Sequence, residues 1–134
     1  MEGTNRPSEA EPLFRRALAI FEKSYGPVHP NVAMELNNIA SLLQDTKRPR
    51  EAEPLFRRAL AIDEKSYGPV HPNVARSLNN LALLLQATNR HSDAEPLYRR
   101  ALAITEKNYG PDHPRTKTIR ENLRSTQNKL GPAK

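Results

Sequence analysis

The strongest constraint on this chain is that it repeats itself every 42 residues. AEPLFRRALAI begins at Ala10 and again at Ala52, and AEPLYRRALAI begins at Ala94. Of the 42 positions in residues 10–51, 32 recur unchanged in residues 52–93. SYGPVHPNVA at 24–33 and 66–75, then NYGPDHPRTK at 108–117, keep the same phase. So do TNRPSEAEP from Thr4, TKRPREAEP from Thr46 and TNRHSDAEP from Thr88. A period of this length belongs to stacked supersecondary units, none of which can bury its apolar face alone. The sequence opens at the turn inside such a unit, so a piece of a longer array is the expectation.

Each unit reads as two helices. Gly26, Gly68 and Gly110 follow a helix end, where a left-handed backbone is cheap only for glycine. Pro30, Pro72 and Pro114 then open the next helix, at a position that needs no amide donor. Val32, Leu36, Ile39, Ala40 and Leu43 make one apolar face, which Val74, Leu78, Leu81, Ala82 and Leu85 repeat. The second helix is predicted to begin at Ser8, at about Arg50 and at Ser92. Ser8 with Glu11, and Ser92 with Glu95, have capping-box spacing. Pro12, Pro54 and Pro96 would then close that first turn. The buried face of this helix runs through Leu55, Phe56, Ala59, Leu60 and Ile62.

Composition agrees with a thin, elongated core. Of 134 residues, 37% are hydrophobic and 5% aromatic, with no Trp, too little for a deep spherical centre. The absence of cysteine excludes disulfides, thiolate nucleophiles and Cys-ligated metals. No apolar run nears the roughly 18 residues of a membrane span, and MEGTNRPSEAE lacks the core of a secretory signal. A cytoplasmic location is the default. The net charge of +6 sits mostly in residues 114–130, which alone carry +4, so no continuous basic stripe exists.

Leu36, Ile39, Ala40, Leu43, Ala52, Phe56 and Ala59 resemble, in order, the signature positions of a tetratricopeptide repeat. Leu78, Leu81, Ala82, Leu85, Ala94, Tyr98 and Ala101 repeat that set. The long unit, with LNNIA or LNNLA and a G-P-x-H-P link, is similar to the 42-residue variant of kinesin light chains. The resemblance implies an all-α solenoid of about six helices with a right-handed superhelical turn. As a single domain it would comprise a lone second helix at 8–24, repeats at 30–67 and 72–109, and a capping helix at 114–130. In that last segment Arg120, Arg124 and Gln127 replace apolar residues, while Ile119, Leu123 and Leu130 keep a stripe for packing backwards.

The first helix of each unit should line the inner side of such a superhelix. Its non-core face carries Met34, Asn37, Asn38, Ser41, Gln44 and Asp45, then Arg76, Asn79, Asn80, Leu83 and Gln86, then Thr118, Glu121 and Asn122. Asn38, Asn80 and Asn122 recur in register as a ladder. An amide offers a donor and an acceptor together, matching a peptide backbone, and the resemblance implies this role for all three. Asp45 at one end and Arg76, Lys117 and Arg120 at the other favour an acidic peptide. Binding of a peptide or helix in this groove is the leading expectation. Self-assembly through the ends is the alternative, and a homodimer through Leu13, Ala17 and Phe21 of the first helix is one form of it. Phe21 stands where later units have Asp63 and Thr105.

Other constellations carry less. Arg15–Arg16, Arg57–Arg58 and Arg99–Arg100 each follow a Glu by four residues and have no interleaved aromatics, so nucleic-acid binding is a minor reading. His29, His71 and His113 cannot converge on one metal, because equivalent residues of stacked units lie two helix widths of ~8–10 Å apart. Each should cap its own helix start. Tyr25, Tyr67 and Tyr109 should pack between units. With no nucleophile–base pair, phosphate loop or ligand cluster, neither an enzyme nor a cofactor is expected.

Overall fold

The computed structural model describes residues 7–131, with side chains from Ala10 onward. Among these residues all regular structure is helical: α1 (Pro7–Tyr25), α2 (Pro30–Asp45), α3 (Pro49–Tyr67), α4 (Pro72–Ala87), α5 (His91–Tyr109) and α6 (Pro114–Leu130). The chain is an all-α helical repeat. Its residues group into two compact units, divided between Ser66 and Tyr67.

In the first unit α1 packs on α2. Val32, Ala33 and Leu36 of α2 form one buried cluster with Ala59 and Ile62 of α3. Leu55 of α3 and Leu18 and Phe21 of α1 lean on this cluster. In the second unit α4 packs on α5, and α5 on α6. Every signature residue from Leu36 to Ala59 and from Leu78 to Ala101 is at most 1% exposed. Ala40, Ala52 and Ala82 explain how helices come so close: a methyl group adds almost nothing to the interaxial distance. Larger Phe56 and Tyr98 fill the space beside them. Burial of each such ring contributes roughly 1.5–3 kcal/mol relative to leaving it exposed.

The linkers work as the glycines and histidines suggest, with two refinements. At Gly110 the backbone has φ 89° and ψ 164°, an extended mirror-image conformation rather than the left-handed helical one, and still one that only glycine adopts readily. Imidazole Nδ1 of His29, His71 and His113 accepts the backbone N–H of Asn31, Asn73 and Arg115 at 3.0–3.1 Å, capping α2, α4 and α6. The tyrosines make a contact that their spacing did not announce. Tyr25, Tyr67 and Tyr109 stack on the capping imidazoles of their own linkers, with ring centroids 4.3–4.4 Å apart.

The second helix of each unit starts one residue earlier than its pattern predicts, at Pro7, Pro49 and His91. Ser92 therefore lies inside α5, where its hydroxyl cannot cap, and Arg90 at the cap position makes no capping bond through its side chain. An ion pair to the first turn takes that place: Arg90 Nε donates to Asp93 at 3.2 Å. Arg48 does the same to Glu51 before α3. The side chain of Ser8 lies outside the described residues. The earlier start also puts Pro12, Pro54 and Pro96 in the second helical turn, on the exposed side.

Helix α6 seals its unit with polar groups. Ile119 and Leu123 are buried as expected, but Leu130 is 47% exposed and the stripe is completed by buried Thr116 and Thr126. Arg120 reaches the Pro111 carbonyl at 3.0 Å and the Glu106 carboxylate, and Gln127 donates to Glu95 at 3.2 Å. Residues that replaced apolar ones thus bond back onto α5 and its linker.

Candidate functional site

On α2 the expected face leaves Met34, Asn38, Ser41 and Asp45 exposed, with Gln44 half-buried. Asn37 is buried, and so withdrawn from that face. On α4 Arg76 and Leu83 are exposed, and Asn79, Asn80 and Gln86 are half-buried. On α6 Thr118 and Glu121 are exposed, with Asn122 half-buried.

Three amides of the second unit are engaged within it. Asn122 Nδ2 donates to Asn79 Oδ1 at 3.3 Å, so the α6 asparagine meets Asn79 rather than Asn80. Gln86 Nε2 donates to the Ser125 hydroxyl at 3.3 Å, and its Oε1 accepts from the Tyr98 phenol at 2.6 Å. Burial pushes the Tyr98 phenol up, which keeps its proton in place as a donor.

Beside this row lies a cleft of about 300 Å³. It is walled by Arg76 and Asn79 of α4, Tyr109 at the end of α5, and Arg115, Thr118 and Ile119 of α6, among others. Two guanidinium groups line it and no carboxylate does. The Arg115 guanidinium sits 5.9 Å over the Tyr109 ring, which holds the charge at the rim by cation–π attraction. Arg76, Asn79 and Thr118 were legible as a helical stripe. Tyr109 and Arg115 were not, because they flank a linker at the end of α5 and the start of α6, although the recurring Tyr-x-x-x-His spacing marked that linker as built.

The other candidates separate. Leu13 is 63% exposed and Ala17 half-buried, whereas Phe21 turns inward against the α2–α3 cluster and does not share their open face. Arg15, Arg57 and Arg99 each pair with the Glu four residues before on the same helix. Burial opposes the charge on Glu95, and bonds from Arg99 and Gln127 outweigh it, holding that carboxyl below its ordinary range. Among the described residues no group of three His, Cys, Asp or Glu could hold a metal. No described helix is long and apolar enough to cross a membrane.

These features define a helical-hairpin repeat protein. The tetratricopeptide-repeat model matches residues 4–65 and 34–107, and the chain belongs to that family. Among solved structures it is similar to BtubC (BKLC) from P. vanneervenii, with 25% identity and a TM-score of 0.86, over 94% of this chain and 50% of that one. It is also similar to a Podosopora anserina protein assigned to the kinesin light chains, with nearly identical TPR-like repeats. That match has 26% identity and a TM-score of 0.86, over 93% of this chain and 59% of the other. The chain thus spans about half to three-fifths of the length of these relatives. Compared with curated protein sequences, it finds no significant match. Repeats of this family generally mediate protein–protein interaction and are not generally enzymes.

Proposed function

We propose that the chain is a protein-interaction module that holds an extended, acidic peptide along the α4 and α6 faces of its second unit. The observation that carries this reading is the α4–α5–α6 cleft, where an amide and two guanidiniums border an apolar floor without any acid. Among the described residues no carboxylate pairs with Arg76 or Arg115, so both stand ready for one from outside. Asn80 would hold the peptide backbone there, and the cations would choose its side chains; Asn38 would do the same for a segment held on the first unit. In this reading the module works in the cytoplasm.

Selection from a random peptide library displayed on phage tests it. Enriched peptides should carry Asp or Glu beside an apolar residue. Arg76→Glu combined with Arg115→Glu should weaken them tenfold or more, and Asn38→Ala with Asn80→Ala should weaken peptides of any side-chain composition. Failure to enrich any sequence, or enrichment of peptides indifferent to all four substitutions, would remove this reading.

A further inference from the structure

The polar groups in the walls of the α4–α5–α6 cleft are donors. Arg76 and Arg115 carry N–H groups alone and have no acidic partner among the described residues. Asn79 owns an acceptor, but its Oδ1 is taken by Asn122 Nδ2, so what it can still offer is its own amide N–H. Thr105 turns its hydroxyl proton back to the Ala101 and Leu102 carbonyls of α5. Thr118 adds an exposed hydroxyl. Two full positive charges thus border a floor that includes buried Ala75 and Ile119, and no wall residue neutralises them.

This charge belongs to the place and not to the repeat. In the sequence 42 residues earlier, Met34, Asp63 and Asn73 stand at the positions of Arg76, Thr105 and Arg115, and Arg76 itself stands at that of Thr118. The cleft's walls carry +2, whereas at the counterpart positions Asp63 offsets Arg76 to zero. The frame is kept meanwhile: Tyr109, His113 and Pro114 repeat Tyr67, His71 and Pro72.

Building on the peptide-binding reading, we infer that the acid this cleft takes is a phosphorylated serine or threonine of the bound peptide. A carboxylate carries one charge and leaves one of the two guanidiniums unmatched. Two adjacent acidic residues would bring two charges, but only by holding them against their own repulsion in a cleft of about 300 Å³. A phosphomonoester places a charge of about −1.5 to −2 on one tetrahedral group with three strong acceptor oxygens. That group matches two guanidiniums, an amide N–H and a hydroxyl, and charge-assisted bonds of this kind are the strong ones. Tyr109, the aromatic side chain of the wall, is already engaged by the His113 imidazole and the Arg115 guanidinium. A phosphotyrosine ring would find no open face there to stack on, so the aliphatic esters are the class selected. The apolar floor receives the side chain beside the phosphate.

The probes are synthetic peptide pools, degenerate except at one fixed central residue that is phosphoserine, glutamate or serine, passed over the immobilised whole chain at about 150 mM salt. The phosphoserine pool should be retained about tenfold more than the glutamate pool, with apolar residues enriched beside the fixed position. Arg76→Met and Arg115→Asn each install the residue found 42 positions earlier, and Asn73 at that position keeps its histidine cap, so the helices tolerate both. Each should remove most of the phosphoserine advantage, and the two together all of it. Equal retention of the phosphoserine and glutamate pools overturns the inference; if that retention is lost with the two arginines, the acidic-peptide reading stands without it. Retention of neither pool removes both readings. A phosphoserine preference that survives the double variant also overturns the inference, because the phosphate is then held elsewhere.

Discussion

Single residues decide where this chain bends. Lys47 has φ 63° and Asn89 has φ 65°, at equivalent positions in the turns after α2 and α4. A left-handed backbone costs a lysine roughly 1 kcal/mol that an asparagine partly recovers through its short polar side chain. Lys47→Asn should therefore stabilise the fold by about 0.5 kcal/mol, seen as a higher denaturation midpoint. The capping histidines give the opposite case. His71→Ala leaves the Asn73 N–H without its acceptor. The expected loss is about 1 kcal/mol, most of it restored by His71→Asn, whose carbonyl can take the same bond. If His71→Ala and His71→Asn melted alike, the cap would carry no weight. The capping role was readable beforehand from position alone, because His precedes Pro at the start of an apolar periodicity. The stacking of Tyr67 on that ring was not readable, since it depends on how Gly68 reverses the chain.

At the scale of elements, ion pairs fasten helix starts to their surroundings. Arg48 bonds Glu51 through two nitrogens and Glu11 of α1 through the third, at 2.6–2.8 Å. Its bonds hold the Glu11 and Glu51 carboxyls below their ordinary range, with Arg15 the largest influence on Glu11. Groups lowered in the folded state stabilise it fully above their unfolded value, about 4.3 for glutamate, and lose that contribution as pH falls through the native values. Glu95 on α5 has the same sign. Melting temperature should therefore drop between pH 5 and pH 3, and Arg48→Gln should flatten part of that drop. High salt should flatten it too, because these pairs face water. An unchanged acid limb in Arg48→Gln would mean that the pairs are geometric only. Element boundaries were the weaker part of the sequence reading for this reason. A serine three residues before a glutamate suggested a cap, but the backbone carbonyls of Arg48 and Arg90, one position before the helices, already accept the first-turn amides of Glu51 and Ala52 and of Asp93 and Ala94, which sets the start earlier.

At the scale of the whole chain, the repeat made the fold legible almost completely, because 42-residue recurrence leaves little freedom in what covers what. The candidate site was legible only as stripes, since its cleft is made where two helices and a linker converge. The charge of +6 is an example of a global number with a local explanation. Arg15, Arg57 and Arg99 are each bound within their own helix, and Arg120 is tied to Glu106. Mixing the protein with duplex DNA at about 150 mM salt should give no mobility shift, and any binding at low salt should fade steeply as salt rises. The His–Tyr stack occurs three times, in linkers that differ by only a few known substitutions. Each linker is therefore an internal replicate of the others, so that a substitution made in one leaves two unaltered copies of the same hinge in the same molecule against which to read it.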